Sequence, residues 1–255
     1  MSSRSEIISF LDDLLKPQTY RDYCPNGLQV FGCDQIERVA TCTSVSEEFF
    51  ELAAKEKAQL LLVHHGLFWD GSSRVVDPLL GKRLRILLEK ELNLVAYHIP
   101  LDAHQKLGNN ARLAALLELG QLNFDFGHYK GTPIGCVGNL EIELSLGQIA
   151  DRLSSKVGGQ PQLFDLGPQA VKRVGIVSGG AGDIPLILEA MQSGCDAYIT
   201  GVMYEQSVAI AREAKVNVVA LGHYNSEKLG VEALGDVLAK HFGLQVVHLD
   251  VPNPV

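Results

Sequence analysis

Six residues of this chain have the type and placement to hold metal ions. His64, His65 and Gly66 follow the apolar run Leu60-Leu61-Leu62-Val63. Two adjacent histidines inside a strand point to opposite faces, but at a strand end the backbone turns and both rings can approach one site. His98 and Asp102 lie four residues apart in AYHIPLDAH, after Leu94-Val95-Ala96. His223 and Glu227 have the same spacing in LGHYNSEK, after Val218-Val219-Ala220. An offset of 125 residues carries His98 onto His223 and Asp102 onto Glu227, so His-x-x-x-carboxylate occurs twice in register. Imidazole suits Zn, Fe, Mn, Co or Ni, and carboxylates can bridge two ions. Four imidazoles and two carboxylates are more donors than one four-coordinate zinc with an open position needs. They suit a pair of divalent ions about 3.5–4 Å apart that polarise a substrate oxygen and acidify a shared water. Residual positive charge would be left for an anionic substrate. The blander reading is strand-end histidines and ordinary helix-start acids.

Other candidates carry less. Ser178-Gly-Gly-Ala-Gly-Asp183 follows an apolar run and precedes a helical one, so its backbone N–H groups could approach an anion. It lacks the Lys-Ser/Thr of a P-loop and the full G-x-G-x-x-G, and Asp183 reads more simply as a helix cap. His104, two residues past Asp102, could orient a ligand or face solvent. His128, His241 and His248 belong to no constellation. Trp69, the only tryptophan, directly follows Phe68 in the loop after His64-His65; it could wall a pocket, stack on a ring, or simply pack. Glu205 reads as a helix-start acid. No G-x-S-x-G nucleophile is present.

Such a site needs strands whose carboxyl ends converge, which is where open α/β sheets place ligands. The apolar spacing predicts a helix at 6–16 ended by Pro17, then a turn at Pro25-Asn26-Gly27 leading into an extended run. Strands are predicted at 38–43, 59–64 and 94–98, with helices at 46–57, 80–91 and 109–119, a loop at 66–77, and a turn rather than a helix at Pro100. A second series has strands at 172–178, 197–200, 217–221 and 245–249 and helices at 183–193, 204–214 and 227–241. Between the series, β-type runs at 134–137 and 140–144 and a helical run at 146–157 suggest a hairpin, a helix and a strand. Alternating strands and helices imply an α/β fold with mainly parallel or mixed sheets covered by helices. Superposing the series gives two similar three-layer α/β lobes, 1–125 and 126–255, with the last segment able to return to the first. No low-complexity linker separates them, so close, even interleaved, packing is expected.

The 255-residue length is consistent with one large or two modest domains. Apolar residues make up 46%, which excludes disorder as the main state. No apolar run is long enough for a membrane span and no signal-peptide stretch opens the chain. A net charge of -8 argues against a broad nucleic-acid surface. The five cysteines include no C-x-x-C pair, which argues against a disulfide scaffold or a cysteine zinc finger and for a reducing cytoplasm.

PNGLQV (25–30), VHHGLFW (63–69), YHIPLDAH (97–104), SGGAGD (178–183), ALGHYNSEKLG (220–230) and the ending VPNP (251–254) together resemble the Nif-three-like family. Its members are also called dinuclear metal-centre hexameric proteins, and many are labelled GTP cyclohydrolase I type 2 homologues. The chain is similar to the short form, without the domain that some members insert mid-chain. The resemblance implies two similar α/β lobes with a dinuclear metal site between them, and a homohexamer built as a trimer of dimers. By motif match the ligands are His64, His65, Asp102, His223 and Glu227, with Glu227 bridging two Zn, Fe or Mn ions and His98 beside them. The label implies hydrolytic opening of the guanine imidazole ring, with His98 or His104 moving protons. Val202 follows Thr200-Gly201 where many relatives carry an acid. Three functions are therefore weighed: a metal-dependent hydrolase of a nucleotide or similar anion, a metal-delivery protein without turnover, and a ring enclosing nucleic acid, which the acidic charge disfavours.

Overall fold

The computed structural model describes residues 1–255 as a mixed α/β protein with two main sheets. The chain divides into two compact units, one comprising Met1–Leu101 with Gly230–Pro252, the other Asp102–Leu229 with Asn253–Val255.

In the first unit the five-stranded sheet has the order Gln245–His248, Arg38–Ser44, Leu60–His65, Asn93–Ala96, Gly27–Val30. The first four strands run parallel and Gly27–Val30 closes the edge antiparallel. Leu60, Leu61, Leu62 and Val63 are fully buried, as expected of a parallel strand covered on both faces. Helix Glu47–Lys55 starts at Ser46, whose hydroxyl accepts the N–H of Phe49, and it buries Phe49, Phe50 and Ala53. Helix Arg4–Leu15 begins with a reciprocal capping box between Ser3 and Glu6, which satisfies N–H groups that a helix start leaves open.

In the second unit the six-stranded sheet has the order Gln162–Phe164, Asn217–Ala220, Ala197–Thr200, Val171–Ile176, Cys136–Leu144, Gly120–Asn123. Its three central strands Asn217–Ala220, Ala197–Thr200 and Val171–Ile176 are parallel, and the flanking pairings are antiparallel. Ile149, Leu153, Val174, Ile199 and Val219 form part of a buried cluster on this sheet.

Three expectations need correction. Residues 99–102 form one turn of helix, Ile99–Asp102, rather than an open turn; proline is tolerated in a first turn because its missing N–H would have had no partner there. The runs at 134–137 and 140–144 do not make a hairpin but contribute to one strand, Cys136–Leu144. Gly138 interrupts the apolar pattern because the neighbouring strand comes close: a Cβ there would lie 3.0 Å from the carbonyl oxygen of Gly120. The hairpin of this region is a small one, pairing His128–Tyr129 with Thr132–Pro133. Asp183 stands at the N-cap of helix Ile184–Gln192 but makes no side-chain cap bond. No helix is long and apolar enough to cross a membrane.

Candidate metal centre

In the first unit, His64, His65 and His98 each offer a ligand atom, and these atoms lie within 4.8 Å of one another. His64 and His65 end the strand Leu60–His65, and His98 follows Asn93–Ala96. Each ring is held through Nδ1. His64 Nδ1 bonds the carbonyl oxygen of Tyr97 at 2.9 Å. A carbonyl only accepts, so this nitrogen carries the proton and Nε2 keeps the lone pair. His65 Nδ1 meets Ser44 Oγ at 2.9 Å. His98 Nδ1 donates to Asp22 Oδ1 at 2.8 Å. His64 and His98 are thus oriented as metal-ligating histidines are, with one ring nitrogen bonded to a carbonyl or carboxylate.

In the second unit, Asp102 and Glu227 are buried, at 6% and 3% exposure, and their carboxylate oxygens lie within 4.8 Å of each other. His223 Nε2 is 3.2 Å from Glu227 Oε2. Asp102 Oδ1 accepts from Asn109 Nδ2 at 2.7 Å and from Ser178 Oγ at 3.4 Å. Two buried carboxylates this close repel in a low dielectric, and a divalent cation removes that cost. The donors in both units therefore fit a metal: oriented imidazoles in one, clustered carboxylates with an imidazole in the other.

In the Ser178–Asp183 loop, Gly179 packs against the candidate ligands. Gly179 has φ +69°, and a Cβ there would overlap Glu227 Oε1 and lie 2.9 Å from Glu227 Cδ and 3.3 Å from His223 Nε2. The glycine makes room for the candidate ligands. Gly179 N donates to Ser226 Oγ at 2.9 Å. Ser178 N donates to Asn110 Oδ1 at 2.7 Å.

The sequence reading missed Asp22, Asn109 and Asn110. Asp22 has Oδ1 on His98 and accepts the N–H of Ile99 at 3.0 Å and Asn26 Nδ2 at 2.9 Å through Oδ2. Burial pushes its carboxyl up, but the hydrogen bond and attraction of His98, with Asn26 and Ile99, outweigh that and hold it at about 2. Asn110 donates to the carbonyl oxygen of Ile134 at 2.7 Å while accepting from Ser178. The acid before Cys24-Pro25 and the doubled Asn109-Asn110 at a helix start were the available signals. The other histidines take local partners. His104 Nδ1 accepts the N–H groups of Lys106 and Leu107, and burial lowers its pKa. His128 bonds Glu189 and Asp125, His241 stacks on Phe10, and His248 bonds Thr41. Glu205 is an exposed first residue of helix Glu205–Ala214.

The family model described as Duf34/NIF3 (NGG1p interacting factor 3) matches residues 2–254. The chain belongs to this family. NIF3-type relatives include proteins named GTP cyclohydrolase 1 type 2 homolog from Yersinia pestis and Pyrococcus abyssi. Each is 39% identical, with 98% of this chain and 98% of the relative covered. Among solved structures, the protein TTHA1606 from Thermus thermophilus superposes with TM-score 0.89 at 34% identity, covering 99% of this chain and 100% of that one. A structural-genomics protein, ybgI, described as of unknown function, gives TM-score 0.92 at 34% identity, with coverage of 99% and 100%. The NIF3 assignment agrees with the sequence motifs and with the mixed α/β architecture.

Proposed function

We propose that this NIF3 chain is a dinuclear divalent-metal protein that hydrolyses a small anionic or nucleotide substrate, in keeping with the naming of its relatives. In this reading His64, His65, Asp102, His223 and Glu227 would hold two divalent ions, Zn, Fe or Mn. The observation that supports it most is His64, whose Nδ1 donates to the carbonyl oxygen of Tyr97 and so leaves on Nε2 the lone pair that a metal takes. Two such ions, when bound, would polarise a substrate oxygen and acidify a water. His98, held by Asp22, is the side chain suited to carry a proton beside them. His104 is the weaker candidate, since its Nδ1 already serves the backbone. The homohexamer implied by the sequence resemblance belongs to the same proposal and is checked by mass in solution.

A second reading is a metal-holding or delivery protein without turnover, in which Glu227, packed against Gly179, serves only to hold the ions. The two readings separate experimentally. Purified protein should hold about two transition-metal ions per chain, and His64→Ala or Glu227→Ala should lose them. Wild type that cannot be loaded sinks the metal site. Loaded protein incubated with GTP should give a fluorescent pterin or an altered purine spectrum. No change across Zn, Fe and Mn transfers the case to metal delivery.

A further inference from the structure

Two aromatic side chains adjoin the histidine cluster of the first unit. Tyr23 is 39% exposed and Trp69 is half-buried. Their ring centroids are 5.4 Å apart, with planes tilted by 37°. Both meet His98 edge to face, at 5.0 Å and 82° for Tyr23 and at 5.2 Å and 83° for Trp69. Trp69 also lies 5.8 Å from His65.

The loops that carry them are tied together. The N–H of Asp70 donates to the carbonyl oxygen of Tyr23 at 2.8 Å. The N–H of Leu67 donates to Gln29 Oε1 at 2.7 Å, and Gln29 Nε2 donates to the carbonyl oxygen of Pro25 at 2.8 Å. Gly66 has no room for a Cβ, because the Gln29 amide fills that space. The rings are thus set in position beside polar groups, with aromatic surface left in contact with water. Aromatic faces in such positions bind planar rings by offset stacking or edge-to-face contact.

We infer that Tyr23 and Trp69 form a stacking platform for a planar heteroaromatic ring, which would rest beside His65 and His98. The platform deepens the proposed hydrolase reading by naming the ring-bearing class of its substrate; its relevance to catalysis rests on that reading, while its binding is measured separately. Two aromatic side chains at about 150–250 Å² each fall well short of the roughly 1,200 Å² of a stable protein interface. The same loop carries exposed Val75 and Val76 and leads into exposed Leu79 in helix Pro78–Glu89, so a contact between copies of the chain is the competing outcome.

Trp69 is the only tryptophan, so its emission reports directly on the platform. Guanosine and free pterin should each quench it saturably after inner-filter correction, and inorganic triphosphate should not. Tyr23→Leu, which keeps the reporter, should weaken ring binding by about tenfold, as expected for losing one stacking partner, with metal content unchanged. Tyr23→Phe should restore binding. The inference is overturned if neither ring compound quenches saturably, if triphosphate quenches equally, or if Tyr23→Leu leaves quenching intact while changing the oligomeric mass. Metal content measured on the same samples tests the metal site independently: ring binding by metal-free protein would leave the platform standing without the hydrolase reading.

Discussion

Replacing Gly179 with alanine should separate metal binding from folding. The residue sits at φ +69°, where an L side chain costs about 1–2 kcal/mol. For a chain of this size that is a fall in Tm of roughly 2–8 °C, too little to unfold a protein of ordinary stability. The larger effect is local. The new methyl group would occupy the place of Glu227 Oε1 and press on Glu227 Cδ at 2.9 Å and His223 Nε2 at 3.3 Å. The carboxylate must rotate away, which removes a proposed ligand. Metal affinity should fall by about 100-fold or more, the upper end of what disturbing a ligand's support costs. Gly180→Ala is the control. A Cβ there meets only ordinary contacts, 3.5 Å to His223 Cε1 and 3.6 Å to Tyr204 Oη, so it should leave metal affinity unchanged. The assay is competition against a chelator, with elemental analysis and thermal melts of the metal-free proteins. If Gly179→Ala keeps wild-type affinity, or if Gly180→Ala loses metal equally, the reasoning from the loop to the site is refuted.

Three further outcomes are expected. Asn109→Ala removes a donor at 2.7 Å from a buried carboxylate and should cost about 1.5–3 kcal/mol in chemical denaturation, together with a 10–100-fold loss of metal affinity. His128 is raised above its ordinary 6.5 by its hydrogen bond to Glu189, with Glu189 and Asp125 charge adding to it. Its stabilising effect is therefore complete below 6.5 and lost as pH rises through the higher folded value. Once divided by the intrinsic base-catalysed rate, hydrogen-exchange protection in the hairpin around 126–135 should fall as pH rises through that folded value in wild type, and His128→Ala should remove that fall. The thiols should be mostly silent: burial pushes Cys24 up to about 11 and Cys136 and Cys195 up to about 12, and Cys42 is buried. A thiol reagent should titrate only Cys33 in the native chain and all five thiols after denaturation; fast labelling of several native thiols would contradict the burial.

What could be read from the sequence was what depends on neighbours in the chain. Leu60-Leu61-Leu62-Val63 is a buried strand because consecutive apolar residues suit a sheet covered on both sides, and the histidines after it mark the strand's end. The cap bond of Ser46 to Phe49 is likewise local, spanning three residues. Asp22 was not visible, because its partner His98 lies 76 residues away and no periodicity links them. The role of Asn110 comes from Ser178, 68 residues further on. The glycines of 178–183 left an anion cradle open beside a structural role, because the sequence shows that a side chain is missing but not what occupies the space. Here Glu227 does.

The strand Gln245–His248 pairs in parallel with Arg38–Ser44, a partner about 200 residues earlier in the chain. The whole of Asp102–Leu229 is translated before that last strand exists. At a synthesis rate of about 5–20 residues per second, the edge of Arg38–Ser44 stays open for roughly 10–40 s while the ribosome completes the chain. An unpaired edge is a template for aberrant pairing. The nascent chain is therefore most vulnerable to misassembly during translation, and chaperone dependence should fall on this first-made sheet rather than on the contiguous segment that follows it.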